Sequence, residues 1–207
     1  EDAWVEPPED AYVMTRGLEK VPKKAKYVVI DFEEGIPVKI NGVRKSLVTL
    51  IEELNAVAGA YGIGRFDQIE NRLVGIKSRE VYEAPAADVL LKAHHELESM
   101  VMDREFLHYK KVLSEKYAEL VYYGLWFSPL KQALDAFFAH NQKRVTGKVR
   151  FKFAQGHAIP VGRQSKYSLY HEKLATYSKG DTFNHSMAEG FLKLWGLPYE
   201  GMGRKIK

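Results

Sequence analysis

Apolar and polar positions change rhythm several times along this chain, and each change marks an element. Residues 27–33 are rich in β-branched and aromatic side chains, which predicts a strand. Glu34-Gly35 turns the chain into a second strand over 36–40, closed by the turn pair Asn41-Gly42. Pro37 predicts an edge position or the first residue of that strand. The rhythm then becomes helical: Leu47, Leu50, Ile51, Leu54, Val57, Ala58 and Tyr61 recur at three- and four-residue spacing, with Ser46 as cap and Gly62 as stop. That apolar face is expected to lie on the hairpin. Pro85 opens another helix, whose apolar side carries Leu90, Leu91, Ala93, His94, Leu97 and Val101. Asp103 starts a third, with Phe106, Leu107, Tyr109, Val112 and Leu113, continued or restarted over 114–120. Ser128-Pro129 starts a fourth, striped by Leu130, Ala133, Leu134, Phe137 and Phe138 and ending near Gln142.

Strict alternation returns at 148–153, where basic and apolar residues take turns as in a half-buried strand. Gln155-Gly156 reverses the chain into a partner over 157–161, followed by a loop at 162–165. Residues 168–177 and 186–195 read as helices, before Gly196 and Pro198 end the order. Strands come in pairs with helices grouped between them. This predicts an α+β fold with an antiparallel or mixed sheet built from hairpins and helices packed around it. Residues 1–26, with Pro7, Pro8 and Pro22, read as an extended lead-in anchored by Trp4 and Tyr12; 27–198 form the domain, and 199–207 a basic tail.

The stretch 62–85 fits neither rhythm. It sets Arg65, Asp67, Glu70, Asn71, Arg72, Lys77, Arg79, Glu80 and Glu83 among scattered Ile, Leu and Val, with glycines at 62, 64 and 75 where positive φ or close approach is expected. It reads either as a site or as a solvated loop with a short strand at 73–77.

Composition narrows the classes. A chain of 207 residues with 45% hydrophobic and 28% charged residues can bury a real core. No apolar run approaches the roughly 20 residues of a membrane span. With no cysteine, disulfides and thiolate metal sites are excluded, which fits a reducing, cytoplasmic setting. The net charge of +4 is spread along the chain without a nucleic-acid-binding motif, so neither nucleic acid nor membrane is expected as a partner.

Candidate chemistry is sparse. His94 and Glu98 share a helix face, but the helical zinc pattern needs a second histidine four residues on, where Glu98 stands. A packed or surface histidine pair is the expectation, and no metal site. Gly62-Ile63-Gly64 follows a helix, not a strand, and lacks the third glycine of a dinucleotide fingerprint. Glu70 and Tyr82 remain: a carboxylate and a phenol brought together across a bend could bind an amino-acid head group, the carboxylate pairing with an α-ammonium and the hydroxyl donating to an oxygen.

Several runs then form one pattern. Gly62-Ile-Gly-Arg65, Ile69-Glu-Asn-Arg72, Val74-Gly-Ile-Lys-Ser-Arg79 and Val81-Tyr-Glu83 closely resemble the signature of argininosuccinate synthase. So do Asp103-Arg-Glu105, the long run from Lys116 to Pro129, Val145-Thr-Gly147, Val161-Gly-Arg163, Tyr167-Ser-Leu-Tyr170 and Gly190-Phe-Leu-Lys193, in the same order along the chain. The resemblance implies the C-terminal synthetase and multimerisation domain of an ATP-dependent, AMP-forming carbon–nitrogen ligase of arginine biosynthesis. The ureido oxygen of citrulline attacks the α-phosphate of ATP and releases pyrophosphate; the amine of aspartate then displaces AMP, giving argininosuccinate.

It further implies an N-terminal nucleotide-binding domain beyond this chain, ATP with Mg as co-substrate of the whole enzyme, and a homotetramer. Glu70 and Tyr82 match the family's citrulline-binding positions, while no catalytic or ATP-binding residue is expected in this half. The isolated chain is expected to be inactive. A non-catalytic assembly or regulatory module of the same fold is the alternative. The chain departs from the family pattern beside the site: Glu80 stands where glycine is expected, and Ala84 and Asp88 where threonines are.

Overall fold

The computed structural model of this chain describes residues 2–175 and 182–203. They fall into two compact units, Glu1–Leu169 and Tyr170–Lys207. The first is an α+β body. Its strands β1 (Lys26–Glu33), β2 (Ile36–Ile40), β3 (Val43–Arg44), β6 (Gly147–Ala154) and β7 (His157–Gln164) form one antiparallel sheet in the order β3-β2-β1-β6-β7. Strands β4 (Arg65–Asn71) and β5 (Lys77–Glu83), between them in sequence, form a separate hairpin.

The sheet is built by the alternation that predicts it. Val28, Ile30 and Phe32 of β1 and Val149, Phe151 and Phe153 of β6 point to one face and are fully buried, while Lys148 and Arg150 stay on the solvent side. Each such side chain contributes about 1.5–3 kcal/mol of burial. The loop expected at 162–165 is mostly strand. Pairing of Gly162, Arg163 and Gln164 with Arg150, Val149 and Lys148 gives the front half of β6 its partner, past a bulge between Arg150 and Phe151.

Helices α1 (Leu47–Gly59) and α2 (Pro85–Val101) cover the buried face. Ser46 caps α1 by accepting from Thr49 N–H at 3.2 Å, and Leu50, Leu54 and Ala58 face inward. Leu47 and Ile51, expected on that stripe, are exposed, as is Leu91 on α2 at 71%. The buried arc of each helix is narrower than its run of apolar residues, because the facing sheet and helix reach only one side. Helices α3 (Arg104–Tyr122) and α4 (Pro129–Gln142) follow, capped by Asp103 and Ser128 as their sequences predict. Phe137 stacks on Phe106 and Phe138 meets Tyr117 edge-on, which joins these two helices, whereas Phe127 is 90% exposed.

In the second unit, α5 is described over Glu172–Ala175 and starts four residues later than the helix expected over 168–177; residues 176 and 177 lie outside the described set. Helix α6 (Ser186–Gly203) runs straight through Gly196 and Pro198, where a stop was expected, and takes in the first residues of the expected tail. An interior proline removes one N–H from the ladder and crowds the carbonyl four residues back, so Pro198 is a local cost to this helix and not its end. Residues 204–207 of that tail lie outside the described set.

Candidate functional site

The site candidate is the hairpin of β4 (Arg65–Asn71) and β5 (Lys77–Glu83). The strand expected at 73–77 is instead largely its turn: Arg72 N–H donates to Ile76 O at 2.8 Å and Gly75 N–H to Arg72 O at 2.9 Å, with Gly75 at φ +87°. Leu73, Val74 and Ile76 are apolar but exposed at the tip, so their β-propensity misleads about where the strands lie. The hairpin's base is pinned by Gly64 at φ +91°, where a Cβ would stand 2.5 Å from Pro85 Cα. Only glycine allows β4 to leave α1 so close to the start of α2.

Register divides the hairpin into two faces. Phe66 pairs with Tyr82, Gln68 with Glu80 and Glu70 with Ser78, so these six share one face; Arg65, Asp67, Arg79 and Glu83 lie on the other. The second face is covered by the lead-in, which has short 3₁₀ turns at Glu9–Ala11 and Leu18–Lys20. Glu83 accepts from the backbone N–H groups of Val13, Met14 and Thr15 and from Thr15 Oγ1, at 2.6–3.0 Å. Partial burial pushes its carboxyl up, but these bonds together hold it below its ordinary value. Arg65 forks onto Glu9 at 2.7 and 2.8 Å and lies over the Tyr12 ring. Arg79 clasps Asp67 at 2.6 and 2.8 Å and donates to the carbonyls of Asp2 and Val5, and it lowers the Asp67 carboxyl. Tyr12 thus anchors the lead-in as expected, while Trp4 does not, being 95% exposed.

The first face is open, and it carries both residues singled out from the sequence. Tyr82 Oη donates to Glu70 Oε2 at 3.0 Å, reaching diagonally past the Gln68–Glu80 row. That bond to Glu70 holds the phenol proton and raises its pKa above the usual tyrosine range. Tyr82 is 44% exposed, so the pair meets solvent. Beside it Arg72 donates through Nε to Ser78 Oγ at 2.8 Å and pairs with Glu80. Tyr122 at the end of α3 donates to Asn71 O at 3.3 Å. Between this edge and α3 lies an open cleft of about 680 Å³, lined by Arg72, Leu73, Val112, Lys116, Tyr122 and neighbours. The carboxylate–phenol pair can therefore take a small zwitterion at the end of an ammonium–carboxylate contact.

Sequence reasoning placed Arg72 and Glu83 in the candidate stretch without giving either a role, and missed Thr15. Opposite charges facing each other across the turn, Arg65 opposite Glu83 and Asp67 diagonal to Arg79, are the signal that would have drawn the hairpin. His94 behaves as a packed histidine: its Nε2 lies 2.6 Å from Gln142 Oε1 and its ring meets Phe32 edge-on. Glu98 is buried and paired with Lys110 at 3.1 Å. Among the described residues no group of three acidic, histidine or cysteine side chains could hold a metal, and no helix is long and apolar enough to cross a membrane.

Residues 1–202 match the family described as the arginosuccinate synthase C-terminal domain. The argininosuccinate synthase of Dictyoglomus thermophilum is 60% identical over 197 residues, 95% of this chain and 49% of that protein. Those of Bacillus cereus and Bacillus mycoides are 59% and 58% identical over 198 residues, 96% of this chain and 49% of each relative. The chain thus spans about half the length of the curated relatives it matches.

Proposed function

This chain belongs to the argininosuccinate synthase C-terminal domain family, and on that footing we propose that it is the citrulline-contacting and assembly half of a cytoplasmic, ATP-dependent ligase that joins citrulline to aspartate. The observation that carries the reading is the Glu70–Tyr82 pair, 3.0 Å apart on the one hairpin face left open by the lead-in. Glu70 takes the α-ammonium of citrulline. In the free state the Tyr82 proton is committed to Glu70; when the ammonium claims that carboxylate, the phenol is released to donate to a ligand oxygen. A phenol keeps its proton at neutral pH with or without that bond.

The nucleotide chemistry falls to the other half of the protein. That half would hold ATP with its Mg and supply adenylylation of the ureido oxygen, and this chain's part is to bind, orient and assemble. The isolated chain is accordingly inactive. The test is Glu70→Ala in the full-length protein. The Michaelis constant for citrulline should rise at least about tenfold, the loss of one charge-assisted contact, with that for ATP little changed. An unchanged citrulline constant rejects the assignment.

A further inference from the structure

The open face of the hairpin carries two carboxylates, not one. Glu80 stands on β5 between Tyr82 and Ser78, and Ser78 is the register partner of Glu70. A second anion so close would make the face doubly negative. Arg72 prevents this. Its side chain leaves the end of β4, donates through Nε to Ser78 Oγ at 2.8 Å, and ends on the Glu80 carboxylate. Glu70 is left with Tyr82 as its hydrogen-bond partner and with no cation on it among the described residues. On the opposite face, Arg65 and Arg79 are already bound to Glu9 and Asp67, so no other guanidinium of the hairpin is free to do this.

We propose that the Arg72–Glu80 pair is a charge-selectivity device. By cancelling Glu80, Arg72 leaves the open face one uncompensated carboxylate, and the site therefore takes an amino acid with a single ammonium and an uncharged side-chain end. A diamino acid gains nothing from its second cation while Arg72 is present, and would gain if Glu80 were bare. The inference rests on the assignment of Glu70 to the α-ammonium and adds to it what makes the site refuse a dication. The electrostatics agree: Arg72 is held in its charged form first by Glu80 and more weakly by Glu70, and Tyr82 feels Glu80 as well as Glu70.

The experiment uses the full-length protein, with L-ornithine as the diamino-acid probe. The ratio of the ornithine inhibition constant to the citrulline Michaelis constant is measured for Arg72→Met, Arg72→Lys and the double variant Arg72→Met/Glu80→Gln. Circular dichroism melting checks the fold of each. Arg72→Met should lower the ratio about three- to tenfold, the effect of one uncompensated charge at a partly hydrated distance. Arg72→Lys should leave it within about twofold, and the double variant should restore it, because the net charge of the face returns to that of the parent. A ratio unmoved by Arg72→Met overturns the proposal. So does a double variant that fails to restore it, which would assign Arg72 to the shape of the turn. If Glu70→Ala leaves citrulline binding untouched, the site reading itself falls; if Glu70→Ala weakens binding while Arg72→Met does not shift the ratio, only the selectivity device falls.

Discussion

Glu83 holds the lead-in to the hairpin through a set of donors that no surface ion pair matches. Three consecutive backbone N–H groups and a hydroxyl converge on one carboxylate. Replacing it with alanine strands those donors, and a loss of about 2–3 kcal/mol in urea unfolding is expected, with early proteolysis within the first 20 residues. The pH dependence follows from its direction of shift. The folded pKa lies below the ordinary value of 4.5, so the stabilisation is complete above that value and disappears as pH falls through the folded one. Asp67 beneath Arg79 and Glu9 beneath Arg65 are lowered as well and act in the same window. The protein should therefore release its lead-in on acidification below about pH 4, read by protease sensitivity, and Glu83→Gln should flatten that transition. Tyr82 has the opposite sign. Its pKa is raised from 10.0, so the bond to Glu70 contributes fully below that value and is lost as pH rises through the folded pKa. Ultraviolet titrations near 295 nm of the parent and of Glu70→Gln should differ by one phenol that ionises at lower pH in the variant. No movement would mean that the 3.0 Å bond is not formed in solution.

At the scale of elements, a two-stranded hairpin is marginal by itself, and this one persists because its base and back are fastened. Two glycines separate these contributions. At Gly75 a Cβ meets nothing within 4 Å, so Gly75→Ala costs only the left-handed backbone, about 1 kcal/mol. At Gly64 the same methyl lands 2.5 Å from Pro85 Cα as well, so Gly64→Ala should cost about 2–4 kcal/mol by urea denaturation. Equal costs would show that the α1–β4–α2 junction yields. The same hairpin marks how far the sequence could be read. Four strands of the five-stranded sheet, all but β3, and the first four helices were legible because their alternation, caps and turn pairs agree with one another: Ser46, Asp103 and Ser128 all cap as read. The hairpin was not, because both of its faces are polar. One is covered by the lead-in and the other is left open, so period-2 alternation carries no hydrophobic signal, and the exposed apolar tip at Leu73, Val74 and Ile76 drew the strand to the wrong place. Glu70 and Tyr82 were legible through the family signature. That they converge across a bend was read from the sequence as well; the diagonal geometry of the contact was not, since it depends on a register that places residue 70 opposite 78.

At the scale of the molecule, the decisive feature is how apolar surface is distributed between the two units. The first buries its core between the five-stranded sheet, α1 and α2, with side chains such as Phe151, Leu97 and Leu50 fully enclosed. It also encloses Glu98, satisfied by Lys110 and Gln142, so Glu98→Ala should cost about 3 kcal/mol by leaving Lys110 unpaired beside the core. Among the described residues of the second unit there is no such interior. Along α6, Phe191, Leu192, Leu194, Trp195 and Leu197 are all at least 57% exposed, and no residue of the helix is buried. Side chains of that size each forgo about 1.5–3 kcal/mol when left in water, and a helix carrying a run of them is stable only when something covers them. A homotetramer, which the family resemblance implies, would supply that cover from further copies of the chain. Sedimentation at micromolar concentration should then show a multimer for the whole chain and a monomer for a chain ending at Leu169, with the near-ultraviolet circular dichroism of the first unit retained. The melting temperature of the whole chain should rise with protein concentration and that of the shortened one should not. A whole chain that stays monomeric while its second unit remains helical would remove the assembly role from α6.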